Sequence, residues 1–218
     1  MSMRTTWTED GKEKSVTSPM SLVVSAFARV EDVRKTLTPQ LRNDLGDTRL
    51  IYVDLGDRRN RLGGSALTQV YRQLGDKCAD LDQPSRLKGL FDAVQFLNRH
   101  GKLLAYHDIS DGGIFVTLCE MSFAGHCGFT ADISQLGQDN LAVLFNEEPG
   151  AVMQVRTEDA ETVLNILSGH GLASCSFDLG TLNDEDRVIF IRDGADVINQ
   201  KRGYFRTIWG ETTYRMQA

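Results

Sequence analysis

Several features that would assign a chain to a specialised class are missing from this sequence. None of the four cysteines forms a CxxC pair, and 218 residues is too long for a disulfide-stapled miniprotein, so we expect reduced thiols. No apolar run reaches the roughly 20 residues that a membrane-spanning helix needs, and residues 1–18 lack an apolar signal-peptide core. We therefore expect a soluble, cytoplasmic protein with no membrane partner.

The chain also lacks an excess of basic charge. Lys and Arg number 24 against 30 Asp and Glu, which gives a formal net charge of -6. Binding to nucleic acid needs a cationic face that neutralises phosphates, so this balance argues against a nucleic-acid partner. Hydrophobic residues, by contrast, make up 41% of the chain, which is enough for a sizeable core and argues against disorder.

Apolar runs and helical patterns are mixed along the chain. Apolar runs predict strands over 21–28, 50–55, 103–108, 128–133, 151–155, 177–182 and 187–192, with the last two paired around a turn at 183–184. Helical periodicity predicts helices over 30–37, 65–74, 84–99, 114–124 and 158–168. Because strict β-α-β alternation is missing, we predict an α+β fold in which one mixed β-sheet is layered with helices.

Three segments are expected along the sequence. Residues 1–44 show little periodicity and are predicted to be an arm and connecting segment. Residues 45–194 carry the α+β domain, and residues 195–218 are predicted to be a C-terminal helical extension towards a further domain. The tail stops in mid-pattern at Ala218 with no helix cap, which indicates a piece of a longer protein.

The most informative segment is Tyr106-His-Asp-Ile-Ser-Asp-Gly-Gly113, between a predicted strand and a predicted helix. Asp108 and Asp111 are hard oxygen donors, and either could hold Mg²⁺, while the Ser110 hydroxyl can donate a hydrogen bond to a phosphate. The glycines allow close backbone approach, and a helix N-terminus attracts anions. The same residue types also make ordinary helix caps and tight turns, so the residues alone leave capping and ligand binding open.

A second glycine turn, Arg58-Arg-Asn-Arg-Leu-Gly-Gly-Ser65, also leads into a predicted helix. It lacks the spacings of the P-loop and of the dinucleotide fingerprint. It can cradle a phosphate or be a solvated basic turn. Elsewhere, His107 is expected to be a hydrogen-bonded structural histidine, and residues 147–149 (Glu-Glu-Pro) are expected to form a solvated loop.

The chain resembles the large, single-chain phosphoribosylformylglycinamidine synthase family. The resemblance rests on four stretches, which begin Ser21-Leu-Val-Val-Ser-Ala-Phe-Ala, Thr36-Leu-Thr-Pro-Gln-Leu, Leu62-Gly-Gly-Ser-Ala-Leu-Thr-Gln-Val-Tyr and Ala105-Tyr-His-Asp-Ile-Ser-Asp-Gly-Gly. It implies the second of two domains with the fold of the AIR synthase C-terminal domain. It also implies that Asp108 is a Mg²⁺ ligand and that Ser110 contacts the nucleotide, while no catalytic residue is carried over.

The family's reaction is implied by the same resemblance. ATP and glutamine convert formylglycinamide ribonucleotide to its amidine in purine biosynthesis, with ATP and Mg²⁺ bound at a composite site. The partners would be the other domains of the parent enzyme, namely a nucleotide-binding synthetase domain and a glutaminase domain, so the chain alone would be inactive. The family has a catalytic and a structural nucleotide site, and Asp108 and Ser110 fit either. A scaffold or interaction domain, or a domain of a related synthase such as AIR synthase, is the alternative.

Overall fold

The computed structural model describes residues 3–18, 24–30 and 32–217, and the chain separates into one unit that ends at Arg34 and another that begins at Lys35. The first unit contains an antiparallel hairpin of strands β1 (Arg4–Glu9) and β2 (Lys12–Thr17). Its turn residues Asp10 and Gly11 both have positive φ, 52° and 72°, as a tight Asp-Gly hairpin turn requires.

Two sequence predictions fail in the first unit. Of the strand predicted over 21–28, residues 21–23 lie outside the described residues, and residues 24–28 form no strand. Of the helix predicted over 30–37, only a 3-10 turn at Val33–Lys35 forms, and residue 31 lies outside the described part. A short helix is stabilised mainly by packing of its apolar face, and Val33 is exposed.

Within the described residues, the second unit forms one seven-stranded mixed sheet in the order β4-β6-β3-β7-β5-β8-β9. Its strands are β3 (Thr48–Asp54), β4 (Ala105–Asp108), β5 (Gly128–Asp132), β6 (Gly150–Arg156), β7 (Ser176–Asn183), β8 (Arg187–Arg192) and β9 (Ala195–Lys201). Its helices are α1 (Ala66–Val70), α2 (Pro84–Arg99), α3 (Gly113–Gly125), α4 (Asn140–Phe145), α5 (Ala160–Gly169) and α6 (Arg202–Gln217).

Helices cover both faces of this sheet, so there are two cores. Successive residues of β3 point to opposite faces: Leu50 and Tyr52 pack with α3 and α4, whereas Ile51 and Val53 pack with α2 and α5. A strand buried on both faces favours apolar residues at consecutive positions, which explains the unbroken hydrophobic run of residues 50–53 in the middle of β3. The predicted α+β class, a mixed sheet layered with helices, is confirmed.

The predicted pairing of residues 177–182 with 187–192 is wrong. Strand β5 lies between β7 and β8; it pairs antiparallel with β7 and parallel with β8. The link from β7 to β8 crosses the start of β5 at Gly128, where a Cβ would collide with Asn183 and Arg187. A glycine at this crossing therefore allows the two strands to sit on opposite sides of β5.

The C-terminal segment also differs from expectation, because Ala195–Lys201 is a strand and the helix begins only at Arg202. Asp193 and Gly194 have positive φ, 50° and 79°, and reverse the chain so that β9 pairs antiparallel with β8. This Asp-Gly pair is a strong hairpin signal that the helical expectation for residues 195–218 overlooked. The three-segment division stays a prediction.

The remaining predicted elements form at or near their predicted places. Helix α1 stops at Val70, short of the predicted end, while α2 matches its predicted bounds. Residues 140–145, for which no element is predicted above, are helical. Over the described residues, no helix combines the length and the apolar character needed to cross a membrane.

Candidate functional site

The two glycine turns follow strand ends that lie on the same side of the sheet. Strands β3 and β4 both pair antiparallel with β6, which lies between them, so Asp54 stands opposite Gly150 and Asp108 opposite Ala151. The two strands therefore run in the same direction and end together. We call residues 58–65, after β3, the arginine turn and residues 108–113, after β4, the acidic turn.

The acidic turn presents its polar side chains to solvent. The Asp108 side chain is 73% exposed, and Ser110 and Asp111 are also exposed. Helix α3 has Gly112 as its N-cap, in the left-handed region at φ 85°, so the N-cap residue has no side chain with which to cap the helix. Of the two readings that the residues left open, helix capping is thus disfavoured for Ser110 and Asp111, whose side-chain oxygens remain available to a ligand.

His107 is held by a hydrogen bond to Glu120, as expected of a structural histidine. Its Nδ1 lies 3.3 Å from an oxygen of Asp108, and its Nε2 lies 3.1 Å from an oxygen of Glu120 on α3. The other oxygen of Glu120 accepts a hydrogen bond of 2.9 Å from the Trp209 indole on α6. The contact with Glu120 therefore holds the imidazole against α3, and the neighbouring Asp108 side chain stays exposed.

The arginine turn is not a free cationic loop. Arg61 is nearly buried and forms ion pairs with Glu148, at 2.6 Å, and with Asp82, at 2.9 Å. Hydrogen bonding to Glu148 is the main reason that the pKa of Arg61 is raised above its ordinary value. Arg59 also pairs with Asp82, and Arg58 lies over the Phe177 ring. The solvated-turn interpretation is therefore wrong for Arg61.

Residues 147–149 are not a solvated loop either. Glu148 is completely buried, and Glu147 Oε1 accepts hydrogen bonds from the N–H groups of Ala66, at 2.8 Å, and Gly112, at 2.9 Å. A carboxylate of the chain itself thus occupies amides at both glycine turns. Sequence reasoning missed these two residues because their importance follows from β6 lying between β3 and β4, and the strand order is not visible in the sequence.

Asp54, the last residue of β3, is buried where the arginine turn begins. Its carboxylate accepts hydrogen bonds from the N–H groups of Gly56, at 2.8 Å, and Arg58, at 2.6 Å. Burial is the largest influence on this group and raises the pKa of Asp54 above the ordinary aspartate value.

This raised pKa predicts a specific pH dependence. An acid whose pKa is higher in the folded than in the unfolded state lowers stability as pH rises between the two values. We expect Asp54→Asn to remove that penalty, so the stability of the wild type relative to the variant should fall as pH rises from the ordinary aspartate pKa through the raised one. Urea unfolding of both proteins across the acidic range measures this difference, and a difference that does not change with pH would contradict it.

The described residues contain no cluster of three or more His, Cys, Asp or Glu side chains placed to hold a metal ion. The exposed Asp108 carboxylate is suited to be one Mg²⁺ ligand, since Mg²⁺ takes one or two carboxylates plus phosphate oxygens and waters. Cys119 and Cys127 are poorly suited to be nucleophiles, because burial raises the pKa of Cys119 and raises that of Cys127 to about 11. The acidic turn fits binding of a metal-bound phosphate group.

Comparison with family models decides the family. Residues 47–193 match the model described as AIR synthase related protein, C-terminal domain. The chain belongs to this family. Residues 1–29 match a second model, described as FGAR-AT PurM_N-like domain. The two matches in this order confirm the resemblance to phosphoribosylformylglycinamidine synthase.

Solved structures with the same fold include two complexes of PurL from Thermotoga maritima. The FGAR complex matches with a TM-score of 0.65 and 16% identity over 79% of this chain and 29% of that chain. The ATP complex gives 0.61 and 15% over 78% and 27%. HypE from E. coli, a hydrogenase maturation protein, gives 0.52 and 19% over 74% and 50%. At these identities the likeness establishes the fold, and the chain spans under a third of the PurL chains.

Proposed function

We propose that this chain is the part of a phosphoribosylformylglycinamidine synthase that supplies one Mg²⁺ ligand and one nucleotide contact to a composite ATP site. The observation that carries the proposal is the exposed pair Asp108 and Ser110, on a turn whose side chains do not cap the following helix. The T. maritima PurL complexes with ATP and with FGAR support nucleotide and ribonucleotide use by proteins of this fold.

Each residue of the acidic turn has a separate part in this proposal. The Asp108 carboxylate binds Mg²⁺ from its exposed position at the end of β4. The Ser110 hydroxyl donates to a phosphate oxygen, while the Gly112 N–H stays bound to Glu147. Mg²⁺, when bound, neutralises phosphate charge. The partial positive charge at the N-terminus of α3 favours the same anion.

The remaining groups needed for the proposed reaction would come from other domains of the parent enzyme. A nucleotide-binding synthetase domain would supply the remaining contacts to ATP, and a glutaminase domain would supply ammonia from glutamine. Formylglycinamide ribonucleotide is the proposed substrate, and the cytoplasm is the proposed location. One carboxylate and one hydroxyl are too few to hold Mg–ATP, so the isolated chain should have no ligase activity.

A substitution at Asp108 tests this function. In the chain co-expressed with the other parts of the parent enzyme, Asp108→Asn should weaken Mg²⁺-dependent ATP binding roughly tenfold or more, because a charged contact worth about 1.5–3 kcal/mol is lost. Ser110→Ala should weaken it less, since a neutral hydrogen bond contributes about 1 kcal/mol. Calorimetric titration with Mg–ATP measures both effects.

The matched control is Asp44→Asn, which changes an exposed aspartate that is paired with Arg42. Nucleotide affinity should stay at the wild-type value in this variant. Unchanged nucleotide affinity in Asp108→Asn would contradict the proposal. A lower melting temperature in that variant, with binding intact, would favour the alternative of a scaffold domain whose turn has a structural role alone.

A further inference from the structure

One oxygen atom connects the two glycine turns. Glu147 Oε1 accepts the N–H of Ala66, in the first turn of α1, at 2.8 Å and the N–H of Gly112, in the acidic turn, at 2.9 Å. Ala66 directly follows the arginine turn, and Gly112 lies in the acidic turn, so the two amides belong to segments that follow different strands. Displacing either turn therefore breaks one of these hydrogen bonds or moves the carboxylate.

Glu147 is held firmly by its chain neighbours. Asn146, on one side, is buried and donates from Nδ2 to Ala142 O at 2.7 Å. Glu148, on the other side, is buried and paired with Arg61 of the arginine turn. Because both neighbours are fixed, the Glu147 carboxylate cannot follow one turn freely and release the other.

Capping of a single helix does not account for this arrangement. Helix α1 already has an N-cap, Ser65, whose hydroxyl accepts from the N–H of Thr68. Asp139 shows what a simple cap looks like: its carboxylate accepts from Leu141 and Ala142, two amides of the same helix, α4. Glu147 instead divides its hydrogen bonds between two turns.

We propose that Glu147 is a positioning residue that couples the acidic turn to the arginine turn, so that a change at either turn is transmitted to the other. This deepens the proposed function and rests on it in one respect, namely that the ligand at the acidic turn is a nucleotide phosphate. Binding at Ser110 would then also fix the arginine turn and the start of α1. The coupling itself needs no ligand and is measurable in the chain as it stands.

Cys78 provides a way to disturb the arginine turn alone. It is exposed, and its Sγ lies 3.7 Å from where a Cβ on Gly64 would be. Cys119, Cys127 and Cys175 are buried, so a bulky maleimide should react with Cys78. The amide resonances of Gly112, in the 218-residue chain, then report whether the disturbance reaches the acidic turn.

In the wild type, labelling of Cys78 should shift the Gly112 amide resonance. Glu147→Ala should abolish that shift, because the shared oxygen is gone. Glu147→Gln keeps an oxygen at the same place and should retain the shift, which is rescue by the conservative variant. A wild-type chain with no shift at Gly112, or an equal shift in Glu147→Ala, would overturn the proposal.

The control variant is Asp139→Ala, which removes a carboxylate that also accepts two backbone amides. It should lower the melting temperature as a lost helix cap does, yet leave the labelling shift at Gly112 unchanged. A general loosening of the fold would affect both variants alike. The labelling experiment uses no nucleotide, so a negative result would not affect the proposed role of Asp108. A negative result in the Asp108→Asn titration would likewise not affect the proposed coupling through Glu147.

Discussion

Replacing Glu148 with alanine is expected to lower the free energy of unfolding by about 3–5 kcal/mol, the usual cost of removing one partner of a buried ion pair. Glu148 is fully buried, and the Arg61 side chain is only 9% exposed. The carboxylate accepts two side-chain hydrogen bonds from Arg61, at 2.6 and 2.7 Å, and one from its backbone N–H. In the variant, Arg61 would keep Asp82 as a partner but lose all three of these bonds.

Urea unfolding measures this effect against two comparisons. Asp44→Ala removes one partner of an exposed pair with Arg42 and should cost less than about 1 kcal/mol. The double variant Arg61→Met with Glu148→Leu removes both charges and should be more stable than Glu148→Ala, because no unpaired charge is left buried. A loss in Glu148→Ala no larger than that in Asp44→Ala would show that the pair contributes little to the fold.

Much of the fold could be predicted because its strongest patterns are local. Helix α2 shows apolar residues at helical spacing after Pro84, and it forms with its predicted bounds. Strand β3 contains the continuous apolar run of residues 50–53 and β6 the run of residues 151–153, because both faces of these strands are buried. These patterns depend only on neighbours along the chain, so a single sequence contains them.

Strand order could not be predicted in this way. The pairing proposed for β7 and β8 assumed that strands close in sequence are adjacent in the sheet, which is the commoner arrangement. Here β5 enters between them, at a crossing that depends on the absence of a side chain at Gly128. Nothing in the local pattern of β7 or β8 reveals a third strand from another part of the chain.

The candidate site likewise has one part that the sequence predicted and one part that depends on the strand order. The acidic turn was found from sequence because its strand, polar residues, glycines and helix are consecutive. The participation of Glu147 and Glu148 depends on their position between two distant turns, which only the sheet order creates. Two adjacent glutamates before a Pro-Gly pair have the composition of a solvated loop, so composition alone gave the wrong answer.

Gly113→Ala should be among the most damaging single substitutions at the site. Gly113 has a φ of 67°, in a region that costs an alanine about 1–2 kcal/mol. An added Cβ would also collide with the backbone oxygen of Asn146 and lie 2.7 Å from the backbone oxygen of Leu144. Such overpacking costs about 1–3 kcal/mol more. We therefore expect a loss of about 2–5 kcal/mol in the free energy of unfolding, measured with urea.

Gly101→Ala separates the two causes of this loss. Gly101 has nearly the same φ, 65°, but nothing lies within 4 Å of an added Cβ, so only the backbone cost of about 1–2 kcal/mol applies. Equal losses of unfolding free energy in Gly113→Ala and Gly101→Ala would mean that residues 144–146 move away from the added Cβ at no energetic cost. Because the Gly113 N–H donates to Ser110 O at 3.0 Å, a shift of Gly113 should displace Ser110 as well. Gly113→Ala should therefore weaken Mg–ATP binding in the assembled enzyme, whereas Gly101→Ala should leave it unchanged.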